Sequence, residues 1–588
     1  MPRQRSFALL LLVALGWFGC AKRKMPEAFT PLAEEFVYTS LALSPVGATS
    51  AGYHTHAGMK LDEMLDDLSP AGIEQQRKFY QGFRERLAKA VDPQQLAPED
   101  RADYDIIQDQ ISLNLLEFDQ IQSYKHNPTV YVELAGNALF NPHVLEYAPK
   151  KERVGHIIAR LGKLPAFLDQ AKKSLADAPE IWTTVAMEEN DGNISLVDKI
   201  IRAGIAEDQR DAYERAAKPA LDSLRGFQDY LKNDLAKRSQ SDWRLGKEKY
   251  NQKFRYALAT DLAPEQVLAK AEADLKAVRA RMLELSLPLH TKMFPGKRDR
   301  SDENRVISET LGRIADRHST ADTYIPDARR TLEEARQFVK TKGLLPLPPR
   351  DNLLVIETPE FMRGIYAVGG FMPAPALEPQ LGAFYWITPI PKEWPAKRVE
   401  SKLREYNFFK LKLLTIHEAM PGHYVQLEYA NDIQPKTRRV LRSVFGNGPY
   451  VEGWAQYATQ VMLDEGFLGN APELRLTFQK EELRVLANAI LDIRLQTMGM
   501  TDQQALDLME KETFQEHEEA AAKLRRAKLS SCQLPTYLVG WRDWLRVREH
   551  YKQAKGAGYS LVDFHEKALK AGATPLPVLA RLLTGKAL

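Results

Sequence analysis

The chain has 588 residues, 44% of them hydrophobic, which is ample for a large core and compatible with several domains or one large helical body. Its formal net charge is only +3, and no long basic run carries interleaved aromatics, so nucleic acid is not expected as a partner. No internal repeat or low-complexity tract stands out.

Residues 1–20 read as an export signal. Arg3 and Arg5 form a positive start, and Phe7 to Phe18 is an apolar stretch too short for a standard membrane span. The stretch ends in Gly19-Cys20, and a Cys after a small residue at this point suggests a bacterial lipoprotein. A lipid on Cys20 would then be the only membrane attachment. Ordinary secretion and an uncleaved anchor are the alternatives. All three place the chain in the periplasm or cell envelope. Only Cys532 and Cys20 are present, so no intrachain disulfide is expected.

Residues 21–57 read as a flexible, loop-rich lead, and residues 58–342 as a helical N-terminal part. Ser69-Pro70 places an N-cap before a first-turn proline and predicts a helix to about Val91. Asp261 to Glu265 does the same for a helix near 264–285. Arg101 to Gln122, Lys151 to Ala176 and Glu207 to Ala236 carry apolar residues at helical spacing. No chemistry is recognisable in this part.

The composition shifts at Gly343-Leu344-Leu345-Pro346-Leu347-Pro348-Pro349, which opens the part expected to be catalytic, residues 343–588. Asn352 to Glu357, Gly364 to Phe371 and Leu381 to Pro389 look strand-like. They predict a small sheet beside a helix over about Arg404 to Leu427. Tyr385 and Trp386 either line a cleft or pack in the core. Helices return from Pro449 to the end. The fold class is therefore mainly α, a large helical body with a small β-sheet beside the helix that carries the chemistry.

That chemistry lies in His417-Glu418-Ala419-Met420-Pro421-Gly422-His423 and in Val451-Glu452-Gly453-Trp454-Ala455-Gln456-Tyr457. Two His and one Glu are the ligand set of a catalytic zinc site with one position open for water. A Glu beside the first His is the general base of zinc peptidases built on H-E-x-x-H. Here the two His are six residues apart, and at ~100° per residue a regular helix would leave their rings about 120° apart. Pro421 cannot donate the helical hydrogen bond and Gly422 accepts unusual dihedrals, so a break or bulge there would bring His423 back to the metal. The residues read as a metal-dependent hydrolase, with peptides as the first choice of substrate. A hydrolase of another amide or ester, or a catalytically idle zinc-binding surface protein, remain open alternatives.

The run His417 to Gln426 resembles the signature of the bacterial proteins called domain of unknown function 885, relatives of gluzincin metallopeptidases with an expanded H-E-x-x-H. Glu452-Gly453-Trp454-Ala455-x-Tyr457-Ala458 resembles that family's second block. Leu245-Gly246 with Tyr250, Ala263 to Val267, Gly382-Ala383-Phe384-Tyr385 and Gln533 to Gly540 are similar to weaker blocks. The resemblance implies a gluzincin-like fold and one Zn²⁺ held by His417, His423 and Glu452. It implies Glu418 as the base and an edge strand that pairs with an extended peptide substrate. Tyr537, in the late Tyr-x-x-Gly block, is the expected oxyanion donor, or else a structural tyrosine. Arg484, Asp492 and Arg494 face either the cleft or an internal ion-pair lattice, and Asp492 is a candidate to orient a ligand His. Two positions depart from the family's pattern: Thr459 replaces an acidic residue and Gln496 a histidine.

Overall fold

The computed structural model describes residues 29–238, 241–359, 362–363 and 368–588. The signal segment, Cys20, the first residues of the lead and the first half of the strand-like run from Gly364 lie outside the described residues. Among those described, no helix is long and apolar enough to cross a membrane.

The lead is not loop-rich. Helices Phe29–Ala42 and Pro45–Ala51 occupy it. Phe29, Ala33, Phe36, Val37 and Leu41 recur at helical spacing and share a core with Phe83, Ile107, Val440 and Leu441. A short hairpin, β1 (Thr55–His56) and β2 (Met59–Lys60), follows.

The predicted N-terminal helices form with boundaries close to those expected. Pro70–Ala90 starts where the Ser69 side chain accepts the Gly72 backbone N–H at 3.1 Å. Pro98–Leu116, Lys150–Ser174 and Glu207–Asn233 match the periodic runs, and Pro264–Met293 runs longer than predicted. Helices Thr129–Val144, Lys150–Ser174, Glu180–Ser195 and Glu207–Asn233 enclose a core that also takes in Trp386 from the sheet. That tryptophan sutures the N-terminal helices to the C-terminal part.

The sheet has three strands: β3 (Leu353–Glu357), β4 (Gly369–Met372) and β5 (Ala383–Ile387), in the order β3-β5-β4. β5 is parallel to β3 and antiparallel to β4, with Tyr385 opposite Val355 on one side and Phe371 on the other. β4 is thus an edge strand.

The C-terminal helices share the largest core, and two of them touch backbone to backbone. A Cβ on Gly453, in helix Gly448–Asp464, would meet the Gly540 carbonyl carbon at 2.3 Å. One on Gly540, in helix Pro535–Lys555, would meet the Pro449 carbonyl oxygen at 1.9 Å. The two resemblance blocks that carry Glu452 and Tyr537 are therefore one packing unit. Gly540→Ala is expected to cost at least about 2 kcal/mol, because neither backbone can yield. Gly82→Ala, with nothing within 4 Å of its would-be Cβ in helix Pro70–Ala90, is the control and should be neutral or slightly stabilising. Chemical denaturation of both variants measures this, and equal midpoints for Gly540→Ala and the parent would refute the close-packing account.

Candidate metal centre

The helix expected over about Arg404 to Leu427 is three pieces, Ala396–Glu405, Phe408–Glu418 and His423–Ala430; the break at Pro421-Gly422 was expected, and the one at Tyr406-Asn407 was not. Asn407 starts the middle one, its side chain accepting the backbone N–H groups of Phe409 at 3.1 Å and Lys410 at 3.3 Å. That helix stops at Glu418, and the chain turns through Met420, cis-Pro421 and Gly422 before the next one begins. The Gly422 N–H donates to the Ile416 carbonyl at 2.9 Å, six residues back, so the turn folds tightly onto the helix end. A Cβ on Gly422 would lie 1.9 Å from the His417 carbonyl oxygen, which restricts the position to glycine. The fold-back puts the His417 and His423 rings 4.7 Å apart at 87°.

Glu452 arrives from helix Gly448–Asp464, whose start is capped by Asn447 accepting the Tyr450 N–H at 3.1 Å. The Trp454 indole N–H donates to the Pro421 carbonyl at 2.9 Å and fastens this helix to the break. Glu452 Oε2 lies 3.5 Å from His417 Nε2 and 3.4 Å from His423 Nε2. These separations are long for hydrogen bonds, and they match the ~3.4 Å edge of a tetrahedron whose ligands sit ~2.1 Å from a central zinc. Glu452 Oε2 is buried without a hydrogen-bond partner, and one donor atom from each of the three residues falls within 4.8 Å of the others. Burial alone would raise the Glu452 carboxyl; the adjoining His417 and His423 outweigh it and hold the group ionised, well below the usual carboxylate range. The donor set, its spacing and the orphaned oxygen fit a zinc ion.

Glu418 lines the same cavity, about 640 Å³ in volume, together with His417, His423, Glu452 and Tyr537. Among the described residues its carboxylate has no hydrogen-bond or ion-pair partner. The Tyr537 ring lies 6.3 Å from that of His417, nearly parallel to it, and its hydroxyl accepts from Gln533 at 3.3 Å. Burial, and then the charge of Glu452, push its phenol up to about 12, so it remains a proton donor at neutral pH. Gly369, Gly370 and Phe371 of the edge strand β4 complete this side of the cavity.

Other expected roles resolve differently. Tyr385 is buried, its hydroxyl 3.3 Å from Thr415 Oγ1, and Trp386 is buried against Phe140, so both belong to the core. Asp492 orients no histidine: it accepts from the Tyr250 hydroxyl at 2.6 Å and the Cys532 N–H at 2.8 Å, and burial raises it to about 6. Arg484 lines a small recess behind Glu418 and pairs with Glu519, whereas Arg494 pairs with Glu272 at 2.6 Å. Gln496 accepts the Leu245 N–H at 2.8 Å and donates to the Ser530 carbonyl, and Thr459 bonds the Ala455 carbonyl of its own helix.

Sequence reasoning missed the cavity's other wall. It comes from the N-terminal helices, through Glu133 and Asn137 of Thr129–Val144 and Glu189 and Asn193 of Glu180–Ser195. Glu189 and Asn190, adjacent and buried, each lie about one helical turn before the buried Asn193, and that polar stripe was the available signal.

The fold is shared with two solved bacterial proteins. One, described as "a putative lipoprotein of unknown function" from Shewanella oneidensis, is 30% identical, with a TM-score of 0.78 over 94% of this chain and 99% of that one. The other, a "putative lipoprotein" from Colwellia psychrerythraea, is 17% identical, with a TM-score of 0.75 over 95% of this chain and 98% of that one. Trypanosoma cruzi metallocarboxypeptidase 1 aligns at 10% identity over 96% of this chain and 97% of that one, with a TM-score of 0.41, too low to argue from. No curated protein matches the chain. Residues 45–583 match the family described as "Bacterial protein of unknown function (DUF885)", and the chain belongs to that family.

Proposed function

We propose that the protein is a zinc-dependent peptidase of the bacterial cell envelope. The observation that carries this reading is the convergence of His417, His423 and Glu452 at tetrahedral-edge spacing beside the unpaired carboxylate of Glu418. His417 Nε2, His423 Nε2 and Glu452 Oε2 would hold the ion. Zinc, when bound, supplies a Lewis acid that acidifies water toward a pKa of ~7 and polarises a carbonyl.

The chain's own groups do the rest. Glu418 accepts a proton as the water oxygen bonds to the scissile carbonyl carbon, and returns it to the nitrogen as the C–N bond breaks. The Tyr537 hydroxyl donates to the oxyanion that develops between these events. The β4 edge, which among the described residues has only β5 as a strand neighbour, offers backbone groups to an extended substrate. Tyr385 and Trp386 are spent in the core, so recognition by main chain is favoured over an aromatic slot. The Shewanella and Colwellia proteins are described as putative lipoproteins, which supports export, and Cys20 is the proposed site of lipid attachment.

Purified protein is expected to carry about one zinc per chain, and His417→Ala, His423→Ala and Glu452→Ala should each lower that content, as read by elemental analysis. Undiminished zinc in all three variants would sink the ligand assignment. Glu418→Gln should keep the metal and the fold but lose at least ~10²-fold in peptide hydrolysis. Turnover within a few-fold of the parent would remove Glu418 as the base. Tyr537→Phe should keep zinc and lower kcat by roughly 10²-fold, with little change in KM. An unchanged kcat would leave Tyr537 a packing residue.

A further inference from the structure

The cavity that holds the metal-binding residues has a second concentration of carboxylates, on the wall built by the N-terminal helices. Glu133 on Thr129–Val144 stands open to the cavity, and Glu189 on Glu180–Ser195 is 5% exposed. Neither oxygen of Glu189 has a hydrogen-bond partner. Neither residue forms an ion pair among the described residues. The neighbouring cation, Arg525, is taken by Glu188.

Asn193 adds to the imbalance. Its side-chain N–H donates to the Val132 carbonyl at 2.8 Å, and its Oδ1, buried beside the cavity, has no partner. The wall therefore presents more acceptors than donors: the Thr129 hydroxyl reaches Glu133, but no side chain answers the Glu189 oxygens or the Asn193 Oδ1. Buried acceptors of this kind cost stability until a donor or a cation meets them. Burial, and then the charge of Glu133, push the Glu189 carboxyl up to about 9 against the weaker opposing charge of Arg525, so the group holds a proton until a bound cation favours its ionised form. A zinc-type transition-metal ion is a poor candidate, because no His or Cys joins the two carboxylates; among the described residues the only group of three His, Cys, Asp or Glu side chains that could hold a metal ion is His417, His423 and Glu452.

We propose that Glu133, Glu189 and Asn193 form a substrate subsite for an alkylammonium group, whose three N–H donors answer these acceptors. The group is either the free α-amine of a peptide or a lysine side chain, since both present the same chemistry. The subsite rests on the peptidase reading and deepens it: a cation held at this wall sets which peptides reach the metal centre.

Calorimetric binding to the zinc-loaded Glu418→Gln protein tests the subsite without turnover. The probes are tetra-alanine with a free amine, N-acetyl-tetra-alanine, and an N-acetylated tetrapeptide of three alanines and one lysine. At least one cationic probe should bind about tenfold or more tightly than the neutral one, and which of the two does so identifies the source. Adding Glu189→Gln should bring that probe's affinity down to the neutral probe's and leave the neutral probe's unchanged. Glu133→Gln, on a side chain open to the cavity, should act in the same direction and serves if the buried substitution fails to fold. Equal affinities for all three probes, no binding of any, or discrimination that survives both substitutions would overturn the subsite. Retained discrimination in a protein whose parent cleaves no peptide would count against the peptidase reading and for the subsite.

Discussion

The centre of this molecule depends on one hydrogen bond, from the Trp454 indole to the Pro421 carbonyl at 2.9 Å. A helix that ends and restarts leaves carbonyls without helical partners, and a turn closed by proline and glycine has few other fixings. Trp454 supplies the missing donor. It sits two residues after Glu452, so the same contact that satisfies the break between the imidazoles also sets the carboxylate's distance from them. The indole is 1% exposed and is held by Trp544, Tyr457 and His565 at ring distances of 5.1, 5.7 and 5.5 Å. His565 is itself fixed at both nitrogens, by the Tyr457 hydroxyl at 2.8 Å and the Leu344 carbonyl at 2.9 Å. Burial lowers its pKa to about 4, so the ring stays neutral and its bonding pattern does not change across ordinary pH.

The glycine contact between Gly453 and Gly540 sets the remaining distance. Glu452 precedes the first glycine by one residue and Tyr537 precedes the second by three, so the helices' closest approach lies beside both functional side chains. A larger residue at either position would separate the helices and move the tyrosine hydroxyl away from His417, His423 and Glu452. The Tyr-x-x-Gly pattern thus joins a side chain that can do chemistry to the backbone condition that brings it within reach.

What was legible in the sequence was legible for local reasons. The six-residue interval and Pro421-Gly422 demanded a broken helix, because helical rotation is fixed. Ser69-Pro70 opened its helix because a cap and a first-turn proline act within one turn. The failures were long-range. The lead looked like loop because Pro31, Ser44-Pro45 and Gly52 punctuate it, yet its apolar residues meet Val440 and Leu441 at the other end of the chain. Asp492 had the right spacing to face a cleft, but spacing gives a face and not a partner, and its partner Tyr250 is 242 residues away in sequence. The carboxylate wall was hidden for the same cause: Glu133 and Glu189 are surface-like in composition until a distant part of the chain closes over them.

The helix bearing His417 and Glu418 shows why buried charge is retained beside the candidate metal site. Phe408–Glu418 is short, and Lys410 and Lys412 on it are 6% and 2% exposed. Lys410 pairs with Glu481 on helix Pro472–Thr497, and Lys412 pairs with Glu334 on helix Tyr324–Lys342. Well-packed apolar residues would serve stability as well as such pairs do, whereas removing one partner alone costs roughly 3–5 kcal/mol. The pairs therefore explain little about why the fold is stable and more about how the helix is oriented. Apolar packing tolerates small rotations and slides of a short helix; two ion pairs to different neighbours do not. Since a displacement of ~1 Å at a reacting group can cost about 10²-fold in rate, a short helix carrying both the His417 imidazole of the proposed metal site and the adjacent Glu418 carboxylate gains more from fixed orientation than from burial alone.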